Sequence, residues 1–247
     1  LQGEEMTQRV KERDKKRMVY INGFRSQWSY CREIWKNDSD KRYYFTISKM
    51  FRWLLAISRF VFFPSMFVRN QAGKKGWKFR REAIEIETFL KMLIPLMWLV
   101  FFETQGKYGA IENIYWRGMA IFITIWVMAD TVTCLLALIF LADIQGPSAN
   151  QLRSLILLIF NYLEMVFGLS LFYYLYCHCE YTELKIGFWN ALDYGVLGAV
   201  HSAVKISSTF RIIEYAKSGT NFLFMALAFG FFSAHLKQRS YLSDMEK

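Results

Sequence analysis

Residues Gly118 to Ala142 read GMAIFITIWVMADTVTCLLALIFLA, and this stretch decides the class of the chain. It holds 25 residues, and Asp130 is its only formal charge. At about 1.5 Å per residue, a helix of this length exceeds the roughly 30 Å hydrocarbon core of a bilayer. The stretch therefore predicts a helix that crosses a membrane with room for tilt.

Apolar runs on either side of this stretch predict three further spans. They cover Ile84 to Phe102, Leu152 to Tyr176 and Ser208 to about Leu236. A shorter apolar run, Phe188 to Val200, is too short to cross as a helix and predicts a re-entrant or buried helix. The expected fold is an all-α integral membrane protein with about four transmembrane helices and one re-entrant helix of the pore type.

Basic residues are concentrated before Glu82, and this asymmetry predicts the orientation. The chain holds 31 Lys and Arg against 21 Asp and Glu, while 54% of its residues are hydrophobic. Cytoplasmic flanks of membrane proteins carry an excess of Lys and Arg. Because four spans place both termini on one side, we expect both in the cytoplasm, in a plasma membrane or a bacterial inner membrane.

An amphipathic stretch, FTISKMFRWLLAISRFVFF at Phe45 to Phe63, precedes the first span. Its cations and large apolar side chains predict a helix that lies in the headgroup plane. A tilted spanning helix that ends near Val68 is the alternative, and it is disfavoured because it moves the densest positive charge outside. The expected contacts with the interface are Lys49, Arg52, Trp53 and Arg59.

The order of span, short helix and span from Leu152 onward resembles the two-helix pore module of the potassium-channel superfamily. FWNALDYG, Phe188 to Gly195, matches the pore helix, and Thr209 to Phe232 matches the inner helix. In place of the glycine-rich filter this chain reads GAVHSAVKISS, Gly198 to Ser208, which has no G-Y-G. Rings of backbone carbonyls coordinate potassium in such filters, and Lys205 at this place would repel cations.

The resemblance therefore implies a homo-oligomeric pore, with a tetramer favoured, that is not potassium selective and is gated through its cytosolic basic segment. It divides the chain into a basic cytosolic and interfacial segment at 1–83, a first hairpin at 84–147 and a pore module at 148–247. Membrane effectors of bacterial antiviral defence resemble this layout at the level of fold. The residues expected at the constriction or along the pore are His201, Ser202, Lys205, Asn221, Phe224 and Phe231.

Polar side chains inside the spans are further candidates, because such groups are costly in lipid unless they are paired or hydrated. Asp130 is interpreted either as a bond between helices, to Asn161 or to a cation of a neighbouring helix, or as part of an ion or proton path. Glu164 lies one turn from Asn161, and the same two interpretations stay open for it. Glu214 and Lys217 are spaced either for a pair on one helix face or to set the field of an entrance.

Enzyme chemistry is not predicted, since the chain has no G-x-S-x-G, H-E-x-x-H, Walker or dinucleotide motif. Cys177 and Cys179 are separated by one residue, and two such thiols rarely form a zinc site without distant ligands. No metal or cofactor is therefore expected. The alternative to a pore is a non-conducting anchor whose segment Thr7 to Arg81 binds a partner protein, anionic lipid or, less favoured, nucleic acid.

Overall fold

The computed structural model describes residues 28, 31–32, 35, 46–74, 76–106, 109–140, 151–180, 186–202, 204 and 207–245. Within these ranges the protein is helical and has no strand, which confirms the expected all-α class. Of the basic cytosolic and interfacial segment predicted at 1–83, most of residues 1–45 lies outside the described residues. The helices are α1 Thr46–Val61, α2 Phe63–Lys74, α3 Trp77–Gln105, α4 Ile114–Phe140, α5 Gln151–Glu180, α6 Phe188–Leu197 and α7 Ser208–Met245.

Two of these helices are long and apolar enough to cross a membrane. They contain the segments Ile114–Ala137 in α4 and Arg153–Glu180 in α5, which have 24 and 28 residues and a mean hydropathy of 2.0 each. Both coincide with predicted spans. α3 and α7 occupy the places of the other two predicted spans, and α6 begins at the predicted residue, Phe188.

The chain divides into two compact units. The first comprises Leu1–Phe89 and Ala129–Asn150, and the second comprises Leu90–Met128 and Gln151–Lys247. α3 and α4 thus each contribute residues to both units. In the first unit, α1 packs against the end of α4, where Ala56 and Ala137 belong to one buried cluster.

The core of the second unit brings together α3, α5, α6 and α7. Its fully buried members include Phe102 of α3, Leu171 of α5 and Ala191 of α6. α5 and α6 approach closely at Gly195, where an added Cβ would lie 2.8 Å from the Val166 carbonyl oxygen. Because glycine has no Cβ, the two backbones can approach more closely here than any other residue would allow. The short helix α6 is therefore held tightly on the surface of α5.

α6 ends at Gly198, three residues after this close contact. Gly198 has a φ of 79°, in the left-handed region that favours glycine. Its N–H donates to the Tyr194 carbonyl at 3.0 Å, and the Ala199 N–H donates to the Asp193 carbonyl at 3.4 Å. This arrangement satisfies carbonyls that a helix end leaves without intrahelical donors. The helical part of the predicted run Phe188 to Val200 therefore stops at Leu197.

Candidate functional site

Tyr194 of α6 connects three helices of the second unit. Its side chain is 0% exposed. Its hydroxyl donates to Glu214 Oε1 in α7 at 2.7 Å. Its ring stacks on that of Tyr173 in α5, with centroids 4.1 Å apart and an interplanar angle of 17°. One residue of the short helix is thus held by α5 through its ring and by α7 through its hydroxyl.

Lys217 of α7 holds the C-terminal end of α6. Its Nζ donates to the Tyr194 backbone carbonyl at 2.7 Å and lies 4.3 Å from the centroid of the Tyr194 ring. A Cβ on Gly198 would lie 2.8 Å from the same Nζ. A cation is favourable here because the last carbonyls of a helix carry partial negative charge. Glu214 and Lys217, which the sequence suggested as a pair on one face, therefore both hydrogen-bond to Tyr194.

The segment after α6 carries two of the predicted constriction residues at the surface. His201 donates its backbone N–H to the Tyr173 hydroxyl at 3.0 Å. The side chains of His201 and Ser202 are exposed. Lys205 lies outside the described residues, so its place in the constriction stays a prediction.

Ser207 fixes the start of α7 and links it to α5. Its Oγ accepts from the Phe210 N–H at 3.2 Å and from the Tyr176 hydroxyl at 2.8 Å. A serine oxygen that accepts from a backbone N–H in the first turn is a typical N-cap. Sequence reasoning missed Ser207, although a serine directly before an apolar helix is a signal for a helix start.

α7 carries polar side chains on its outward face. Asn221 is exposed, as are Arg211 and Ser218, and the apolar side chains of Phe222 and Met225 are exposed as well. Phe224, by contrast, is buried and packs edge-on against Tyr162 of α5, with centroids 5.2 Å apart. The Asn221 side chain is therefore exposed on α7, whereas the Phe224 side chain packs against another helix of the same chain. The side chain of Phe231 lies outside the described part.

The polar residues of the spans lie in different units. Asp130 is buried in the first unit, where its Oδ2 accepts from Ser65 Oγ of α2 at 2.6 Å. Glu164 is fully buried in α5, in the second unit, and Asn161 is half-buried one turn earlier. The sequence did not suggest that Asp130 contacts α2.

The predicted interface residues make contacts within the protein. Lys49 Nζ lies 4.0 Å from the centroid of the Trp35 ring. The Trp53 ring meets the same Trp35 ring edge-on at 5.6 Å. Arg52 is buried, and its Nη1 donates to the C-terminal carbonyl of α4 at 2.8 Å. The side chain of Arg59 lies outside the described residues.

No protein family, curated protein or solved structure matches the chain. The four cysteines all lie among the described residues, and none of them forms a disulfide there. Among the described residues, no group of three or more His, Cys, Asp or Glu side chains is placed to hold a metal ion. Function is therefore inferred from the Tyr194 contacts and the outward face of α7.

Proposed function

We propose that this protein is an oligomeric membrane pore in which α3, α4, α5 and α7 cross the bilayer and α7 of each copy lines a shared aqueous path. The apolar segments of α4 and α5 support the membrane assignment by their length and hydropathy. α3 and α7 stand where the sequence predicts two further spans. Four spans keep the basic N-terminal segment and the C-terminus in the cytoplasm, as the charge asymmetry favours.

The polar side chains on the outward face of α7, which lie among exposed apolar ones such as Phe222 and Met225, are the observation that carries the proposal. Arg211, Ser218 and Asn221 are exposed on a helix that continues into an apolar run. In a spanning helix, polar groups that face lipid are disfavoured, and they are normally found facing a bundle interior or a water-filled cavity. A shared axis between copies of α7 supplies such a cavity, and a tetramer is the arrangement that the pore-module resemblance favours.

α6 acts in this proposal as a re-entrant support at the outer mouth of the pore. Its ten residues correspond to about 15 Å, roughly half of the hydrocarbon core. Tyr194 and Lys217 hold it between α5 and α7. Trp189 and Leu197 leave large apolar side chains exposed at its two ends, as lipid contact favours. A short helix held in this way enters one leaflet and returns.

The pore is not potassium selective. The connection from α6 to α7 has no G-Y-G sequence, and it presents the side chains of His201 and Ser202 at the surface. A potassium filter needs rings of backbone carbonyls in place of the hydration shell of the ion. The gating signal enters through the basic N-terminal segment, which takes a cytosolic protein partner.

Single-channel recording with the purified full chain in planar bilayers tests the proposal. Asn221→Asp is expected to shift the reversal potential toward cation preference, and Asn221→Lys is expected to shift it in the opposite direction. Opposite shifts of the reversal potential from the two substitutions require that the side chain at this position faces the ions. A merely structural disturbance would not depend on the sign of the introduced charge. Lys205→Glu is expected to act in the same direction as Asn221→Asp.

Phe224→Leu serves as the matched control, because Phe224 packs inside the chain and the change adds no charge. It is expected to leave the reversal potential unchanged. Absence of current above background in varied salts, from particles of normal size, would refute the pore and favour a non-conducting anchor. A single subunit per detergent-solubilised particle would refute the shared axis.

A further inference from the structure

The charged side chains at the start of α7 differ in their exposure. Residues 208–228 carry three formal charges, Arg211, Glu214 and Lys217. Arg211 is exposed, whereas Glu214 and Lys217 are half-buried. Because a helix turns by about 100° per residue, the exposed Ser218 and Phe222 lie within about 20° of Arg211 around the helix. Arg211 is therefore the charge that belongs to the exposed face of this part of α7.

The carboxylate of Glu214 is directed toward α6 instead of the exposed face. Its Oε1 accepts from the Tyr194 hydroxyl at 2.7 Å. Tyr194 is 0% exposed, so this hydrogen bond holds the carboxylate against the interior of the second unit. The negative charge of residues 208–228 is thus kept on the side of α7 that packs within the chain.

The C-terminal end of α6 is a second source of negative potential, and Lys217 compensates it. The last carbonyls of a helix carry partial negative charge, which attracts cations. Lys217 Nζ donates to the Tyr194 carbonyl in the last turn of α6 at 2.7 Å. The protein's own ammonium group therefore occupies the place where a helix end would favour a permeating cation.

Asp193 of α6 is an exposed carboxylate in the same region. The buried residues of α6 are Ala191, Tyr194 and Gly195, and they define the face that packs on α5 and α7. At about 100° per residue, Asp193 lies about 100° to 160° away from each of them around the helix. Asp193 is therefore directed away from α7 of its own chain, and Arg211 keeps its charge uncompensated by this residue.

We propose that the pore selects small inorganic anions such as chloride, and that Arg211 at the outer end of α7 selects them. The inference rests on the proposed function, because α7 must line the path. In a symmetric oligomer one Arg211 from each copy forms a ring of positive charge, which is how anion pores are built. The exposed hydroxyls of Ser208, Thr209 and Ser218 lie on the same part of α7 and supply hydrogen-bond donors to an anion that has lost part of its water.

The size of the expected preference follows from the field of such a ring. A cleft lined by one sign of charge raises the local concentration of counter-ions by about 10-fold to 1,000-fold. The permeability ratio of chloride to potassium is therefore expected to be about 10 or more. Because Arg211 is exposed, salt screens it, over about 8 Å at 0.15 M and about 3 Å at 1 M. The preference for chloride is thus expected to weaken as the salt concentration rises.

Reversal potentials of the full chain in planar bilayers, measured under a gradient of potassium chloride, test the role of Arg211. The wild-type current is expected to reverse close to the chloride equilibrium potential. Arg211→Gln is expected to lower the chloride to potassium ratio by about tenfold, because it removes the ring of charge. Arg211→Glu is expected to reverse the preference toward potassium, and Arg211→Lys, which keeps the charge, is expected to retain the preference for chloride.

Glu214→Gln is the matched control, because it changes one charge three residues away on the same helix. Glutamine keeps an oxygen that accepts from the Tyr194 hydroxyl, so α6 stays in place. The permeability ratio is expected to stay at the wild-type value, as it is for Asp193→Asn. A shift from either control as large as that from Arg211→Gln would overturn the assignment to Arg211. Each variant must elute at the same size as the wild type.

The same recordings separate failure of anion selection from failure of the pore. Wild-type currents that prefer potassium, or that prefer neither ion, would overturn anion selection and leave the pore standing. Currents that stay selective for chloride in Arg211→Glu would show that another group selects the anion. Absence of current above background from particles of normal size would refute the pore, and anion selection would fail with it.

Discussion

Removal of the positive charge of Arg69 is expected to destabilise the protein more than removal of the negative charge of Glu87. The Arg69 and Glu87 side chains are 27% and 11% exposed, so water screens the pair only partly. Arg69→Met leaves Glu87 and Asp130 without this cation. Loss of one partner of a buried pair costs about 3–5 kcal/mol, and the partial exposure lowers the expected loss to about 2–4 kcal/mol.

Glu87→Gln leaves a guanidinium that is 27% exposed and still within electrostatic range of Asp130, so water and that carboxylate stabilise the remaining charge. The expected loss is about 1–2 kcal/mol, the value of a charge-assisted hydrogen bond. The double variant removes both charges and is expected to be about 1–2 kcal/mol more stable than the sum of the two single changes predicts. The unequal single effects follow from a guanidinium that serves two carboxylates.

Equilibrium unfolding of the purified protein in mixed detergent micelles, followed by circular dichroism, measures these free energies. Arg211→Met is the matched control, since it removes an exposed arginine and is expected to change the free energy of unfolding by about 0.5 kcal/mol or less. An effect of Glu87→Gln that equals or exceeds that of Arg69→Met would refute the shared cation. Strict additivity in the double variant would refute the pair itself.

Gly195→Ala is expected to lower the free energy of unfolding by about 1–3 kcal/mol, because the added methyl group meets the backbone of α5. An unchanged melting temperature would mean that α6 does not dock there. Tyr194→Phe keeps the ring stack but removes the hydrogen bond to Glu214, so the free energy of unfolding is expected to fall by about 1–3 kcal/mol. Wild-type stability in the same unfolding assay would contradict that bond. Gly198→Ala places a side chain on a residue with a φ of 79° beside Lys217 and is expected to lower the free energy of unfolding by about 1–2 kcal/mol. Differential scanning fluorimetry in detergent measures the change. An unchanged stability would argue against the left-handed conformation at the end of α6.

The sequence predicted the helices of the chain better than their arrangement. Apolar runs marked α3, α4, α5, α6 and α7, with several boundaries within a few residues of the observed ones. Local composition is enough to locate these helices, because an apolar helix is recognised by the length and hydrophobicity of its own segment. α3 also continues through Pro95, a residue that usually ends or kinks a helix.

The candidate site was only partly visible in the sequence. Glu214 and Lys217 stood out because they are charges at the start of an apolar helix. Tyr194 and Tyr173 did not stand out, since aromatic residues in apolar helices are usually core residues. Only packing brings the Tyr194 hydroxyl to Glu214 and its ring to Tyr173.

The sequence by itself determined the helical class, the apolar segments and the basic flank, because each depends on composition within a window of about twenty residues. The tertiary structure alone decided that Phe62 divides this region into α1 and α2, and which distant residues each of them contacts. The stretch from Phe45 to Val68 has the composition of one amphipathic helix, and no local pattern in it predicts those contacts. These contacts join residues far apart in the chain, Arg52 with Phe140 and Ser65 with Asp130, so a local pattern does not contain them.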